Sequence, residues 1–465
     1  ITITMTTRSI LVLSATAIGI GALLTPSCAF TPTPKRRHIV STHQHDDGRI
    51  VRSSVTKLKM SDDNGTAKKM DDTTNFFSSL MENFLPNNNE SNEVEPVIET
   101  EEQKLKRLRM ERLAEIEMGE VRRQQRVSED KLGYLFLFAL QLLPLLGTDR
   151  IESLIYFFGV AVTTVYLGGR QEVVDAPEKI SKNNALYAPI GASLAIGGLY
   201  LLLKVGIDIT SLYAIMVTLF GALAVSDIGI PILRNVFPNV DFANAEVPVP
   251  QMVADKLDLD KPALPLDGLV TLGLGVLCTA VYWAPVAGGM EGKFLISNAI
   301  AWALGMVSLG AISLGSFQTG AILLAGLFCY DIFWVFGTDV MMTVATKVEA
   351  PVKFLYTAPP SDTPRAYPFS VLGLGDVVIP GLFVRLMSKV DQVLQPKNLS
   401  YFNVATGAYA AGLSACFIAN EVFHNGQPAL LYLDPSLVGG TLACAAVNNQ
   451  VSDLWDFSEA DEDEE

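Results

Sequence analysis

From residue 151 to residue 448 the chain is a succession of long apolar runs, and this constrains its fold more than any other feature. The runs lie near 153–169, 187–203, 208–228, 266–288, 293–314, 318–345, 370–388, 402–419 and 428–447, with a shorter one at 132–147. A soluble core alternates apolar and polar positions at a period near 3.6 or 2. Runs of about 18 or more apolar residues with few charges instead read as membrane-crossing helices. Apolar residues make up 49% of the 465 residues and charged ones 18%; mean hydropathy is +0.33. Glycine and proline interrupt many runs, which membrane helices tolerate. No repeat of 20–50 residues is visible. The expected fold is an all-α, polytopic membrane bundle. The 132–147 run would reach only ~24 Å against a ~30 Å hydrocarbon core, so it is expected as an extra short span or a re-entrant piece.

The charges lie mostly outside these runs. Residues 1–29 carry Arg8, the apolar stretch Ile10 to Leu24 and the small residues Ser27-Cys28-Ala29, the three parts of a signal peptide, the alternative being a short first membrane helix. Residues 30–103 are polar and disordered by composition. Residues 104–130 hold a basic amphipathic helix, lying on a membrane surface or in solvent. The membrane-embedded domain is expected over 131–448 and an acidic, solvated tail over 449–465. The net charge of −15 is a sum over tails, and nothing in it favours nucleic acid. The five cysteines, Cys28, Cys278, Cys329, Cys416 and Cys444, lack metal-ligand spacing and read as small hydrophobes.

A charge inside a membrane span is costly, so each one is a functional candidate. Asp208 and Asp267 stand at the starts of their runs, at the expected interface. The acids further inside are Asp227, Asp331, Asp339, Asp376 and Asp434. The histidines, His38, His43, His45 and His424, all fall outside the spans, which disfavours serine–histidine and zinc protease chemistry. Asp331 and Asp376 sit in consecutive runs joined by a loop of about 24 residues. Two carboxyl groups facing each other at low dielectric cannot both ionise cheaply and share one proton. Such a pair supplies a base for water and an acid for the scissile carbonyl or leaving amine. Gly373 and Gly375 let a backbone approach Asp376 closely, and Tyr330 can donate a hydrogen bond near the pair.

Tyr330-Asp331, Gly373-Leu374-Gly375-Asp376 and Gln427-Pro428-Ala429-Leu430, in this order on successive spans, resemble the signal peptide peptidase family of presenilin-like aspartyl proteases. The resemblance extends through Tyr330 to Ala345, Glu349 to Lys353, Leu372 to Pro380 and Gln427 to Leu433. It implies nine helices, Asp331 and Asp376 as catalytic acids, and a substrate that is itself a membrane helix, such as a remnant signal peptide or a type II protein. It also implies that Pro428, Ala429 and Leu430 lie beside the site. No cofactor or metal is implied. Asp434 departs from the pattern, which is usually apolar there; it either caps a helix broken at Pro435 or faces the site. Asp227 and Asp339 are read as packing or helix-end residues.

A transporter or channel would also carry intramembrane acids, but it would show repeats between halves, and none is visible. A catalytically idle factor that binds membrane helices would carry the same residues. The resemblance implies that the first core span, 153–169, runs from the lumenal to the cytosolic side, which puts loops 170–186, 229–265 and 389–401 in the cytosol; a modest excess of lysine and arginine in those loops agrees. The expected compartment is the endoplasmic reticulum membrane, with a plastid membrane as the alternative because Phe30-Thr31-Pro32 opens a leader rich in Lys, Arg, Ser and Thr. The expected partners are the bilayer and transmembrane-helix substrates; self-association is left open.

Overall fold

The computed structural model describes residues 130–145, 150–171, 177–206, 210–237, 245–248, 263–284, 293–338, 340–348, 350–357, 369–423 and 426–459. The signal peptide, the polar leader, the basic helix up to residue 129, Asp208, Asp339, Glu349 and His424 lie outside them.

The first described segment is helical over 130–142 and closes in a 3₁₀ turn at Leu143–Leu145. These 13 helical residues reach only ~20 Å. They pack against the first long helix, α1 (Arg150–Arg170), where Gly133 admits Leu167 and Gly159 admits Leu140. Then follow β1 (Glu178–Lys179), α2 (Lys182–Val205) and α3 (Thr210–Val236). Ser181 starts α2 by accepting a hydrogen bond from the Asn184 amide. Gly206 ends it in the left-handed region, at φ 87°, and donates back to the Leu202 and Leu203 carbonyls.

The strands β2 (Glu246–Pro248) and β3 (Ala263–Pro265) pair and lead into α4 (Leu266–Trp283). Asp267, expected at an interface, is buried at the start of α4 and ion-paired with Arg234 of α3. The two helices approach so closely that a Cβ on Gly275 would collide with the Ala222 carbonyl oxygen. Small residues permit such contacts between membrane helices. Next come α5 (Phe294–Ala311), β4 (Ile312–Ser313), which pairs with β1, and α6 (Phe317–Phe336).

Two boundaries differ from the sequence expectation. The run 318–345 is not one helix: α6 stops at Gly337 and α7 (Val340–Lys347) begins after it. Thr338 makes the joint, its hydroxyl donating to the Trp334 carbonyl and accepting from the Val340 amide. The run 370–388 is not helical throughout either. Its start, β6 (Phe369–Gly373), pairs antiparallel with β5 (Lys353–Thr357), and the helix α8 (Gly375–Leu394) begins only after Leu374. The strand pairing is a contact between distant segments, which hydropathy along the chain does not register. The bundle closes with α9 (Tyr401–Phe423), α10 (Leu430–Asn448) and the short α11 (Val451–Trp455).

Eight of these helices, α1 to α6, α9 and α10, are long and apolar enough to cross a membrane. The protein is a mostly helical, multi-pass membrane protein. Rows of large apolar side chains on α2, α3 and α4, among them Leu186, Leu194, Leu212, Leu219 and Leu277, face outward, as lipid contact allows and water would not. The ninth long helix, α8, is less apolar because it carries Asp376, Arg385, Lys389 and Asp391. It survives because protein surrounds it: α1, α5, α6, α9 and α10 all pack on it, and residues 375–387 are buried. The cations are matched locally. Arg385 donates to the carbonyls of Leu309 and Gly168 near the ends of α5 and α1, where helix dipoles favour positive charge. Asp391 accepts the Tyr401 and Phe402 amides and so caps α9.

The tail is not wholly solvated as expected. Leu454 and Phe457 are buried, Ser458 bridges to Ser316, and Glu459 pairs with Lys389 at 2.7 Å while accepting from the Ser313 hydroxyl. The negative charge of Glu459 serves as the counter-ion of a helix that carries unusual charge. Lys389→Ala is expected to lower thermal stability in detergent by about 1.5–3 kcal/mol, the range for a hydrogen bond to a charged group. Tryptophan-monitored melting checks this; an unchanged transition would deny the tail a structural role.

Candidate active site

The site forms where α6, α8 and α10 meet. Asp331 lies on α6 and is fully buried. Its Oδ2 accepts a hydrogen bond from the Leu430 amide at 3.1 Å. Leu430 is the first residue of α10, so this amide is one of the donors a helix leaves without an internal partner. Asp376 is the second residue of α8 and is 3% exposed. Each acid therefore faces the positive end of a helix, its own for Asp376 and a neighbour's for Asp331. That end offsets part of the cost of one negative charge within a membrane, by up to about 2 kcal/mol in buried geometry.

Tyr330 precedes Asp331 on α6, and Asp434 lies on α10, which packs on both α6 and α8. Tyr330 is buried and its ring leans on Trp334.

The Gly373-Leu374-Gly375 segment is the joint between β6 and α8. Gly373 pairs with Lys353, the Leu374 amide donates to the Val352 carbonyl, and the Leu374 carbonyl accepts from Val377 and Val378 to start the helix. Neither glycine has a positive φ; among the described residues only Gly206 and Gly315 are positive-φ glycines. They stand where a strand turns into a helix directly ahead of Asp376. Gln427, Pro428, Ala429 and Leu430 are all buried in the approach to α10. Gln427 is braced at both ends, its amide donating to Asn420 Oδ1 and its side-chain oxygen accepting from Tyr432.

Two residues that no sequence motif pointed to help hold this arrangement. Asn298 of α5 is fully buried. Its side chain donates to the Leu355 carbonyl and accepts from the Leu355 amide, both at 2.8 Å, as a neighbouring strand would. It also donates to the Tyr156 hydroxyl of α1 at 2.7 Å. Tyr409 of α9 donates to the Asp376 backbone carbonyl at 3.2 Å. A buried polar residue in an apolar run is the only signal either gives. Tyr409→Phe is expected to lower kcat a few-fold, about 1 kcal/mol for one neutral hydrogen bond; equal turnover by the two proteins would exclude a role for the hydroxyl in seating Asp376.

Close packing positions α10. A Cβ on Gly412 of α9 would meet the Tyr432 carbonyl oxygen at 2.9 Å and Leu433 Cα at 3.0 Å. Both contacts are backbone, so α10 would have to move. Gly412→Val is expected to cost about 1–3 kcal/mol and to reduce cleavage tenfold or more. Gly439→Val, where a Cβ meets nothing within 4 Å, is the control in the same melting and activity assays.

Of the other intramembrane acids, Asp227 lies on an exposed face of α3. Asp434 is a different case. The helix α10 continues through Pro435, so Asp434 caps no break, and its side chain is 4% exposed.

Residues 172–461 match the family model described as signal peptide peptidase. The human signal peptide peptidase is 32% identical over 341 residues, 71% of this chain and 84% of that protein. A probable intramembrane protease of Schizosaccharomyces pombe is 31% identical over 315 residues, 65% of this chain and 94% of its own length. Intramembrane protease 2 of Caenorhabditis elegans is 38% identical over 188 residues, 37% of this chain and 40% of that protein.

Proposed function

The chain belongs to the signal peptide peptidase family of intramembrane aspartyl proteases, and from that premise we propose that Asp331 and Asp376 are the pair that hydrolyses its substrates. The observation that carries this reading is a pair of buried acids on the packed helices α6 and α8, with Asp331 held by the N-terminus of α10, which packs on both. A pair holding one proton can act in both halves of the reaction. The ionised carboxyl takes a proton from water as the oxygen attacks the scissile carbonyl carbon. The protonated carboxyl gives its proton to the carbonyl oxygen, and a tetrahedral diol forms. In the second half a carboxyl protonates the leaving nitrogen, the C–N bond breaks and one diol hydroxyl returns its proton to the pair. The helix N-termini of α8 and α10 keep one net negative charge tolerable throughout.

Tyr330 supports the pair from one side. Gly373, Leu374 and Gly375 admit the substrate backbone beside Asp376. Gln427, Pro428, Ala429 and Leu430 line the site opposite, with the Leu430 amide holding Asp331. The substrates are membrane helices, and the reading extends to remnant signal peptides and type II membrane proteins. Purified protein incubated with a model signal peptide should give two products whose junction, mapped by mass, falls inside the apolar stretch. A junction in the flanking polar sequence would contradict the reading.

The endoplasmic reticulum membrane is the proposed compartment, supported by the signal-peptide pattern of residues 1–29 and by the family. Asn64-Gly65-Thr66 and Asn89-Glu90-Ser91 are glycosylation acceptors if lumenal. Enzymatic deglycosylation is then expected to increase gel mobility, and plastid location of a fluorescent fusion would overturn the assignment.

A further inference from the structure

Asp434 adds a third carboxyl group to a site that needs two. It stands one helical turn after Leu430, the residue whose amide holds Asp331, and positions four apart share a helix face. The side chain is 4% exposed, and both carboxyl oxygens are buried without a hydrogen-bond partner among the described residues. Its helix packs on α6 and α8, which carry Asp331 and Asp376. A lone buried charge beside a negatively charged pair has no counter-ion to repay its desolvation. Asp434 is therefore a neutral carboxylic acid, with one O–H to donate and acceptor oxygens to spare. Buried polar groups are nearly always satisfied, and one that is not asks for a partner.

We propose that Asp434 is a specificity-determining residue: its carboxylic acid forms a hydrogen-bonding subsite, beside Asp331 and Asp376, for a hydroxyl or amide side chain of the substrate segment next to the scissile bond. The inference rests on the assignment of those two acids as the reacting pair. A polar side chain there satisfies Asp434 and is itself satisfied, whereas an apolar one leaves the acid orphaned. The resulting discrimination is differential, between substrates, and does not require Asp434 to take part in proton transfer.

The test uses the full-length protein in detergent and a model signal peptide whose cleavage point has been mapped. One serine, and in a parallel series one valine, is walked through the positions flanking that point, and kcat/KM is measured for each. In the unaltered protein, serine is expected to exceed valine by about tenfold or more at one position. Asp434→Asn, which keeps a donor and an acceptor, should retain that preference. Asp434→Val should reduce it below about threefold. The readout is a ratio within one enzyme, so a general loss of folded protein cancels. A ratio below threefold at every position in the unaltered protein overturns the proposal whatever the variants do. So does a ratio that Asp434→Val leaves intact, or a preference for lysine over serine, which would mean an ionised acid. Failure of the underlying assignment looks different: cleavage of both substrates would persist in Asp376→Ala.

Discussion

Asp376→Ala and Asp331→Ala are each expected to reduce cleavage of a model signal peptide by at least about 10³-fold, some 4 kcal/mol of transition-state stabilisation. The expectation follows from shared roles. One proton serves two carboxyls, and removal of either acid removes the base and the acid together, so the double variant should be little worse than either single one. Both acids are buried; removing a carboxyl removes its desolvation cost, which offsets the cost, about 1–3 kcal/mol, of leaving the Leu430 amide unpaired in Asp331→Ala, so the variants should remain folded in detergent. The measurement is product formation by mass spectrometry alongside thermal melting. More than a tenth of the original rate in either variant, with the melting transition intact, would remove that acid from the chemistry.

Asn298→Ala is expected to produce the second-largest effect, and it acts at a distance from the reacting atoms. The side chain substitutes for a strand along β5, and its loss orphans the Leu355 amide and carbonyl and the Tyr156 hydroxyl contact at once. Each buried unsatisfied group costs about 1–3 kcal/mol, so a total near 3–5 kcal/mol is expected. β5 is the partner of β6, and β6 runs directly into the joint before Asp376. Activity should therefore fall with stability. Asn298→Gln, which keeps the amide but moves it by one methylene, should recover little of either. Melting and cleavage measured together check this; a stable, fully active Asn298→Ala protein would mean that β5 is held by its pairing with β6 alone.

The two acids were legible in the sequence because a charge in an apolar run is costly and stands out. Asn298 and Tyr409 were not, because a neutral polar residue in a membrane helix costs little and its partner is a segment far along the chain. The boundaries of α8 and β6 were misread for a related reason. Phe369 to Gly373 is as apolar as a helix start, and only its pairing with Lys353–Thr357 makes it a strand. Glu459 looked like one more tail carboxylate until Lys389 and Ser313 were seen beside it.

By itself the sequence determined that this chain lives in a membrane, where its spans lie and which acids are too costly to be incidental. These are matters of transfer energy, which adds along the chain residue by residue. Only the tertiary structure decided that α8 can keep four charged residues because five helices enclose it, and that Asp331 is held by an amide 99 residues away. It also showed that Asp434 caps no helix break, because α10 runs on through Pro435 and the side chain is buried within the protein. Hydrogen bonds and burial depend on what surrounds a group in space, and no count along the chain contains that.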